Sequence, residues 1–196
     1  MKKPAITEYD LHPLVAERWS PRAFSDAPVS ETQLRVLLEA ARWAPSCFNE
    51  QPWRFVVARR EQAEAFERML SCLNEKNQLW AARGAVLVIT AAAKNFSQSG
   101  APNRHAWHDV GLAVAQLSLQ ATALGLRLHQ MAGFAADRAK ALYAIPDDFE
   151  AVTALVIGHP GDAGDLPEPL RQRELAARER KPLAELAFAG TWGTAL

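Results

Sequence analysis

Cysteine is nearly absent: Cys47 and Cys72 are the only two in 196 residues. Their spacing fits neither a zinc site nor a CxxC redox pair, and a chain of this length needs no disulfide framework, so both are expected as reduced thiols. A surplus of either charge is also missing, with 22 basic against 22 acidic residues. Generic nucleic-acid or membrane-surface binders usually carry a basic excess, so neither role is expected, although a local basic pocket is compatible with the balance. No apolar run approaches the ~20 residues that cross a bilayer. The longest, "AVLVITAAA" at 85–93, has the length of a buried strand. The opening "MKKPAITEYD" has two lysines but no apolar segment behind them. It does not read as a signal peptide, and a cytoplasmic location is expected. No Gly/Ser-rich or charged linker divides the chain, which reads as one domain over residues 1–196. GxSxG, GxGxxG, P-loop and HExxH motifs are all lacking, which removes the commonest nucleophile, dinucleotide, nucleotide and zinc designs.

What is present is a mixture of helical and extended patterns. "DLHPLVAE" (10–17) reads as a short helix. In "VSETQLRVLLEAARWAP" (29–45), Ser30 and Gln33 fit a capping box, Leu34, Leu37, Leu38 and Ala41 share one helical face, and Pro45 stops the element. "RFVVAR" (54–59) reads as a strand. Residues 61–73 form an amphipathic helix with Ala65, Phe66, Met69, Leu70 and Leu73 on its buried side. "AVLVITAAA" is apolar on both faces and is expected as a central strand covered from both sides. After a loop at 94–104 comes the longest helix, 105–125, apolar almost all round and closed by Gly125. Such a helix is buried on more than one side, in a core or against another subunit. Two further strands, within 126–134 and 151–158, flank a small helix at 137–146. The last stretch is polar, proline-rich and then basic, with little capacity for a core. Interleaved helices and strands suggest three layers, with a sheet between helices.

Four places carry candidate chemistry. In "RWSPRAF" (18–24), Arg18, Ser20 and Arg22 alternate, so an extended backbone turns all three to one side. Two guanidinium groups and a hydroxyl suit a phosphate dianion, but the pattern alone fits a solvated strand equally. "WAPSCFNEQPWRF" (43–55) sets a polar turn between two prolines. Ser46 or Asn49 capping backbone groups accounts for the prolines, and Asn49 and Gln51 near Trp53 also suit a flat heterocycle with donors and acceptors. "LGLRLHQMAGF" (124–134) ends at Gly133, where backbone can approach a ligand closely or simply turn. His129 within it fits either a base or a hydrogen-bonded core histidine. "RERKP" (178–182) again alternates arginines, Arg178 and Arg180, at a place where a solvated tail is the plain alternative. His105 and His108, three apart with Asp109 beside them, would need more ligands than the nearby sequence offers to make a metal site, and fit a helix start.

The segments "RWSPRAF", "AARWAPSCFNEQPWRFVV", "NQLW", "LGLRLHQMAGF" and "RERKPL" occur in an order that resembles the nitroreductase family, over nearly the whole chain. The resemblance implies an α+β, three-layer fold with a mixed central sheet flanked by helices. It also implies an intertwined homodimer, with the long helix at the subunit interface and two FMN molecules in clefts between subunits. It implies that Arg18, Trp19, Ser20 and Arg22 hold the FMN phosphate and nearby atoms, completed by Arg178 and Arg180. Pro45, Ser46, Asn49 and Gln51 are implied to come from the other subunit, Asn77 to bond the flavin ring, and Ala132 and Gly133 to offer backbone near flavin N5. Trp80 stands where some members have a lysine, and Ala132 where some have a glutamate. The implied activity is ping-pong reduction of nitroaromatics, quinones or related acceptors by NADH or NADPH, with no dedicated catalytic side chain and no metal. Trp53, Phe96 and Trp107 are candidates to shape an acceptor pocket. Relatives with similar motifs dehalogenate, oxidise or degrade flavin, and flavin binding without turnover is the alternative of a different class.

Overall fold

The computed structural model describes residues 3–196, so the first two residues of the N-terminal stretch lie outside the description. Helix α1 (Pro13–Glu17) begins where the His12 ring accepts from the Leu14 N–H, and proline at the first turn suits a helix start. Helix α2 (Glu31–Arg42) carries the expected capping box in both directions: Gln33 N–H donates to Ser30 Oγ, and Ser30 N–H donates to Gln33 Oε1. Strand β1 (Trp53–Arg59) follows. The expected helix at 61–73 is shorter, α3 (Ala63–Leu70), because the chain turns at Ser71 to start a second helix, α4 (Glu75–Ala81), capped by Asn74. Strand β2 (Val86–Ala93) leads by a loop to α5 (Ala106–Ala123), and Gly125 closes that helix with φ +72°, a conformation open to glycine without strain. Strand β3 (Arg127–Met131), α6 (Ala136–Leu142), β4 (Phe149–Gly158) and α7 (Glu168–Leu175) complete the chain.

The four strands stand in the order β1-β2-β4-β3 and every pairing is antiparallel, so the sheet is not mixed as expected. Strands β2 and β4 are apolar on both faces because helices cover both faces, a condition that does not require parallel neighbours. Val86, Val88, Leu155 and Ile157 pack with α2 and α5 on one side. Leu87, Ile89, Ala154 and Val156 pack with α3, α4 and Phe24 on the other. The three layers follow from this period-2 alternation.

Helix α5 buries Val110, Ala113, Val114, Leu117 and Ala121 against the sheet. Its opposite side, with Trp107, Gly111, Ala115 and Ala123, is exposed. A side chain added at Gly111 would meet nothing within this chain.

The segment 18–24 is pinned where β4 ends. Ser25 N–H donates to the His159 carbonyl and Gly161 N–H to that of Ala23. A Cβ at Gly161 would lie 2.5 Å from the Phe24 carbonyl carbon, so only glycine lets these two backbones approach.

Candidate functional site

The alternating arginines at the two ends of the chain meet. Arg18, Ser20 and Arg22 line one cavity of about 270 Å³ together with Arg178 and Arg180. Lys3 and Arg173 add cations to its wall, and Glu174 and Glu179 are the only carboxylates there. Trp19 also lines the cavity and is buried, with the Lys3 ammonium 5.0 Å from its ring centre. Burial, and then repulsion from Arg178 and Arg180, holds the Arg18 guanidinium below its ordinary pKa. Arg178 is depressed for the same reasons, burial and Arg180. Cations that repel one another in a concave site form a binding site for an anion. Arg178 is held in place by donating from Nη1 to the carbonyls of Lys3 and Ala16, each at 2.8 Å.

Beneath the Arg22 side chain lies a floor of rings. The Trp80 ring is buried, with the His129 ring centre at 4.5 Å, Phe24 at 6.4 Å and the Arg22 guanidinium at 5.9 Å. His129 Nδ1–H donates to the Pro21 carbonyl at 2.8 Å, which ties β3 to the arginine segment. Burial pushes the His129 pKa down to about 4, so the ring is neutral. His129 is thus a hydrogen-bonded core histidine, the plainer of its two readings. Trp80, standing where a lysine was conceivable, offers the cavity no charge and instead supports Arg22.

The second group of candidates does not line the arginine cavity; Gly133 lines a separate one with Ser71, Asn74 and Phe134. Asn77 lies one turn before Trp80 on α4, and Ala132 and Gly133 follow His129 out of β3. Asn77 Nδ2–H donates to the Gly133 carbonyl at 3.1 Å, and Asn74 N–H donates to the same oxygen at 3.0 Å. A Cβ at Gly133 would stand 2.2 Å from Asn74 Nδ2 and 2.8 Å from Asn77 Nδ2. A larger residue here would have to push the two asparagine amides aside, breaking the Asn77 bond to the Gly133 carbonyl.

Pro45, Ser46, Asn49 and Gln51 are not brought to the cavity. They form an outward turn with Phe48, Asn49 and Gln51 all at positive φ. Its shape is fixed from within: Gln51 N–H donates to Ser46 Oγ, and Cys47 N–H donates to Asp109 Oδ2 at 3.0 Å. Asp109, buried in the first turn of α5, thus ties the turn to that helix. Trp43 and Phe48 are 74% and 90% exposed beside it. Among the candidate pocket aromatics, Trp53 is core, Phe96 packs on Phe48, and Trp107 is partly exposed on the outer side of α5.

Sequence reasoning missed Glu174 and Lys3. Glu174 is 2% exposed, and its Oε2 and Oε1 accept from the N–H groups of Arg22 and Ala23 at 2.9 and 3.2 Å. No local signal marks a glutamate in "LRQRELAARER" as buried. Its partners lie more than 150 residues away.

A model of the nitroreductase family matches residues 15–159. The chain belongs to this family. A crystal structure described as an oxidoreductase containing FMN is 38% identical, covers 96% of each chain and superposes with a TM-score of 0.92. A 15.4 kDa protein of Mycolicibacterium smegmatis, itself uncharacterised, is 32% identical over 149 residues, covering 73% of this chain and 99% of its own. A relative in Streptomyces griseus, carrying a provisional NADH dehydrogenase/NAD(P)H nitroreductase name, is 26% identical over 177 residues, covering 81% and 89%. Among the described residues of this family member, no helix is long and apolar enough to cross a membrane, and no three metal-ligating side chains cluster.

Proposed function

We propose that residues 1–196 form one FMN-binding domain that acts as a homodimer. It takes electrons from NADH or NADPH and reduces small acceptors such as nitroaromatics or quinones in ping-pong order. The observation that carries this reading is the convergence of Arg18, Ser20, Arg22, Arg178 and Arg180 on one cavity. Guanidinium forks match phosphate oxygens in pairs and keep their charge at any working pH. The cavity, about 270 Å³, falls below the roughly 300–1,000 Å³ that encloses a whole cofactor. It suits a phosphate head with the rest of the ligand outside. The FMN-containing structure, 38% identical over 96% of the chain, supports the same group. The name of the Streptomyces griseus relative supports a nicotinamide donor.

Bound flavin supplies the hydride and electron-transfer chemistry. Arg18, Arg22, Arg178 and Arg180 neutralise the phosphate, the Ser20 hydroxyl adds a hydrogen bond, and Trp19 packs behind them. Asn77 and the backbone at Ala132 and Gly133 face the ring's polar edge. Pro45, Ser46, Asn49 and Gln51 reach the site from the partner subunit, a role that fits an ordered turn projecting away from its own cavity. The exposed Gly111 and Ala115 side of α5 supports the subunit contact, since small residues let backbones come close. No side chain of this chain has to move a proton. His129 is neutral, and its Nδ1–H is committed to Pro21.

The test is direct. The purified protein should be yellow, bleach without air on adding NADH or NADPH, and recover its colour on adding a nitroaromatic or a quinone. A colourless protein that takes up no FMN would overturn the reading. A flavin that neither nucleotide reduces would leave only flavin binding.

A further inference from the structure

We propose that Glu174 is a positioning residue of the anion cavity, a latch that holds its two jaws together. One jaw is the strip Arg18–Arg22. The other is the segment carrying Arg178 and Arg180, which lies beyond the part of the chain matched by the family model. Glu174 sits between them at the end of α7, and its carboxylate spends both oxygens on the backbone of the first jaw, at the N–H groups of Arg22 and Ala23. Lys3 Nζ closes the arrangement by donating to the Glu174 carbonyl oxygen. Helix α7 is otherwise polar and exposed, so it has little apolar burial to anchor it. The carboxylate ties α7 to the first jaw by two charge-assisted hydrogen bonds, beside the two that Arg178 makes to the Lys3 and Ala16 carbonyls.

The placement also has an electrostatic sense. A buried carboxylate beside an anion site opposes anion binding through its charge. Glu174 tolerates that position because both its oxygens accept from backbone N–H groups and the Lys3 and Arg22 cations stand close by. Charge and positioning therefore predict opposite signs. If Glu174 acts only as a charge, removing it tightens anion binding. As a latch, its removal weakens binding.

The inference rests on the proposed function only in naming FMN as the ligand. The experiment compares wild type, Glu174→Gln and Glu174→Ala in the full-length protein, reading FMN affinity by fluorescence titration and amide exchange at Arg22 and Ala23 without ligand. Glu174→Ala is expected to bind FMN about 10- to 100-fold more weakly, from the loss of two charge-assisted hydrogen bonds. Exchange at the two amides is expected to speed up by a similar factor. Glu174→Gln, which keeps one acceptor oxygen, should fall between the two, and it carries the test if the alanine variant does not fold. Equal or tighter FMN binding in either variant, with unchanged protection at Arg22 and Ala23, would overturn the latch. If wild type binds no FMN, the functional reading fails, and the exchange measurement, repeated with inorganic phosphate, decides the latch by itself.

Discussion

The arginine cavity and the turn at 43–51 are both polar, both carry candidate cofactor residues, and are built in opposite ways. The cavity is closed within one chain by three distant segments; Arg18, Arg22 and Arg178 are half-buried, and Arg178 is held by two backbone carbonyls. The turn is local, projects outward, and holds three non-glycine residues at positive φ. Such conformations cost about 1–3 kcal/mol each and persist only where surrounding bonds fix them. Here Ser46 and Asp109 do so. The cavity is lined within one chain, whereas the turn projects away from it, as its proposed role in a partner subunit requires. The difference divides the proposed site into a half that grips and a half that is lent.

That division can be broken at four points. Trp80→Ala removes the floor under Arg22 and should destabilise the fold by about 3–5 kcal/mol in urea unfolding, with the turn's own bonds intact; a loss below ~1 kcal/mol would mean the floor is not a packed unit. Next in size is the pH response of His129. Its folded pKa of about 4 lies below the ordinary 6.5. Between these values the unfolded chain binds more protons, so stability rises with pH. The contribution is complete above pH ~6.5 and lost as pH falls toward 4, roughly 3 kcal/mol in all. Unfolding curves across that range should flatten in His129→Phe, and an unchanged slope would contradict the assignment. Arg22→Ala should weaken FMN retention by about 1.5–3 kcal/mol, and the more exposed Arg180→Ala by less. Unchanged flavin content in both would separate the cavity from FMN. Smallest is Asp109→Ala, expected to cost about 1–2 kcal/mol by freeing the Cys47 N–H. Isothermal titration should find phosphate binding at the cavity unaffected, and a parallel loss would show that the two regions are coupled within one chain.

Much of the architecture was legible because it is local. The Ser30–Gln33 capping box, the stop at Gly125 and the two-faced strand at 86–93 each depend on residues a few positions apart, and each stands as expected. The early end of α3 at Leu70 and the separate helix α4 at 75–81 were not legible, because Asn74 looks like an ordinary surface residue until Gly133 arrives beside it. Nor was the sheet's direction, since apolar runs report burial and not the sense of the neighbouring strand. In the site, the alternation of Arg18, Ser20 and Arg22 was readable as a shared direction. That Arg178 and Arg180 meet them was only a possibility that spacing left open.

The sequence by itself determined which side chains share a face, where helices start and stop, and, through ordered motifs, the family. Those are consequences of backbone period and capping, which act over a few residues. Only the tertiary structure decided that two arginine pairs confront one cavity, that Trp80 and His129 stack beneath Arg22, and that Glu174 accepts from the backbone at Arg22 and Ala23. Each of these joins residues separated by dozens to more than a hundred positions, and bonds at such separations exist only once the sheet and its two helical layers have closed around them.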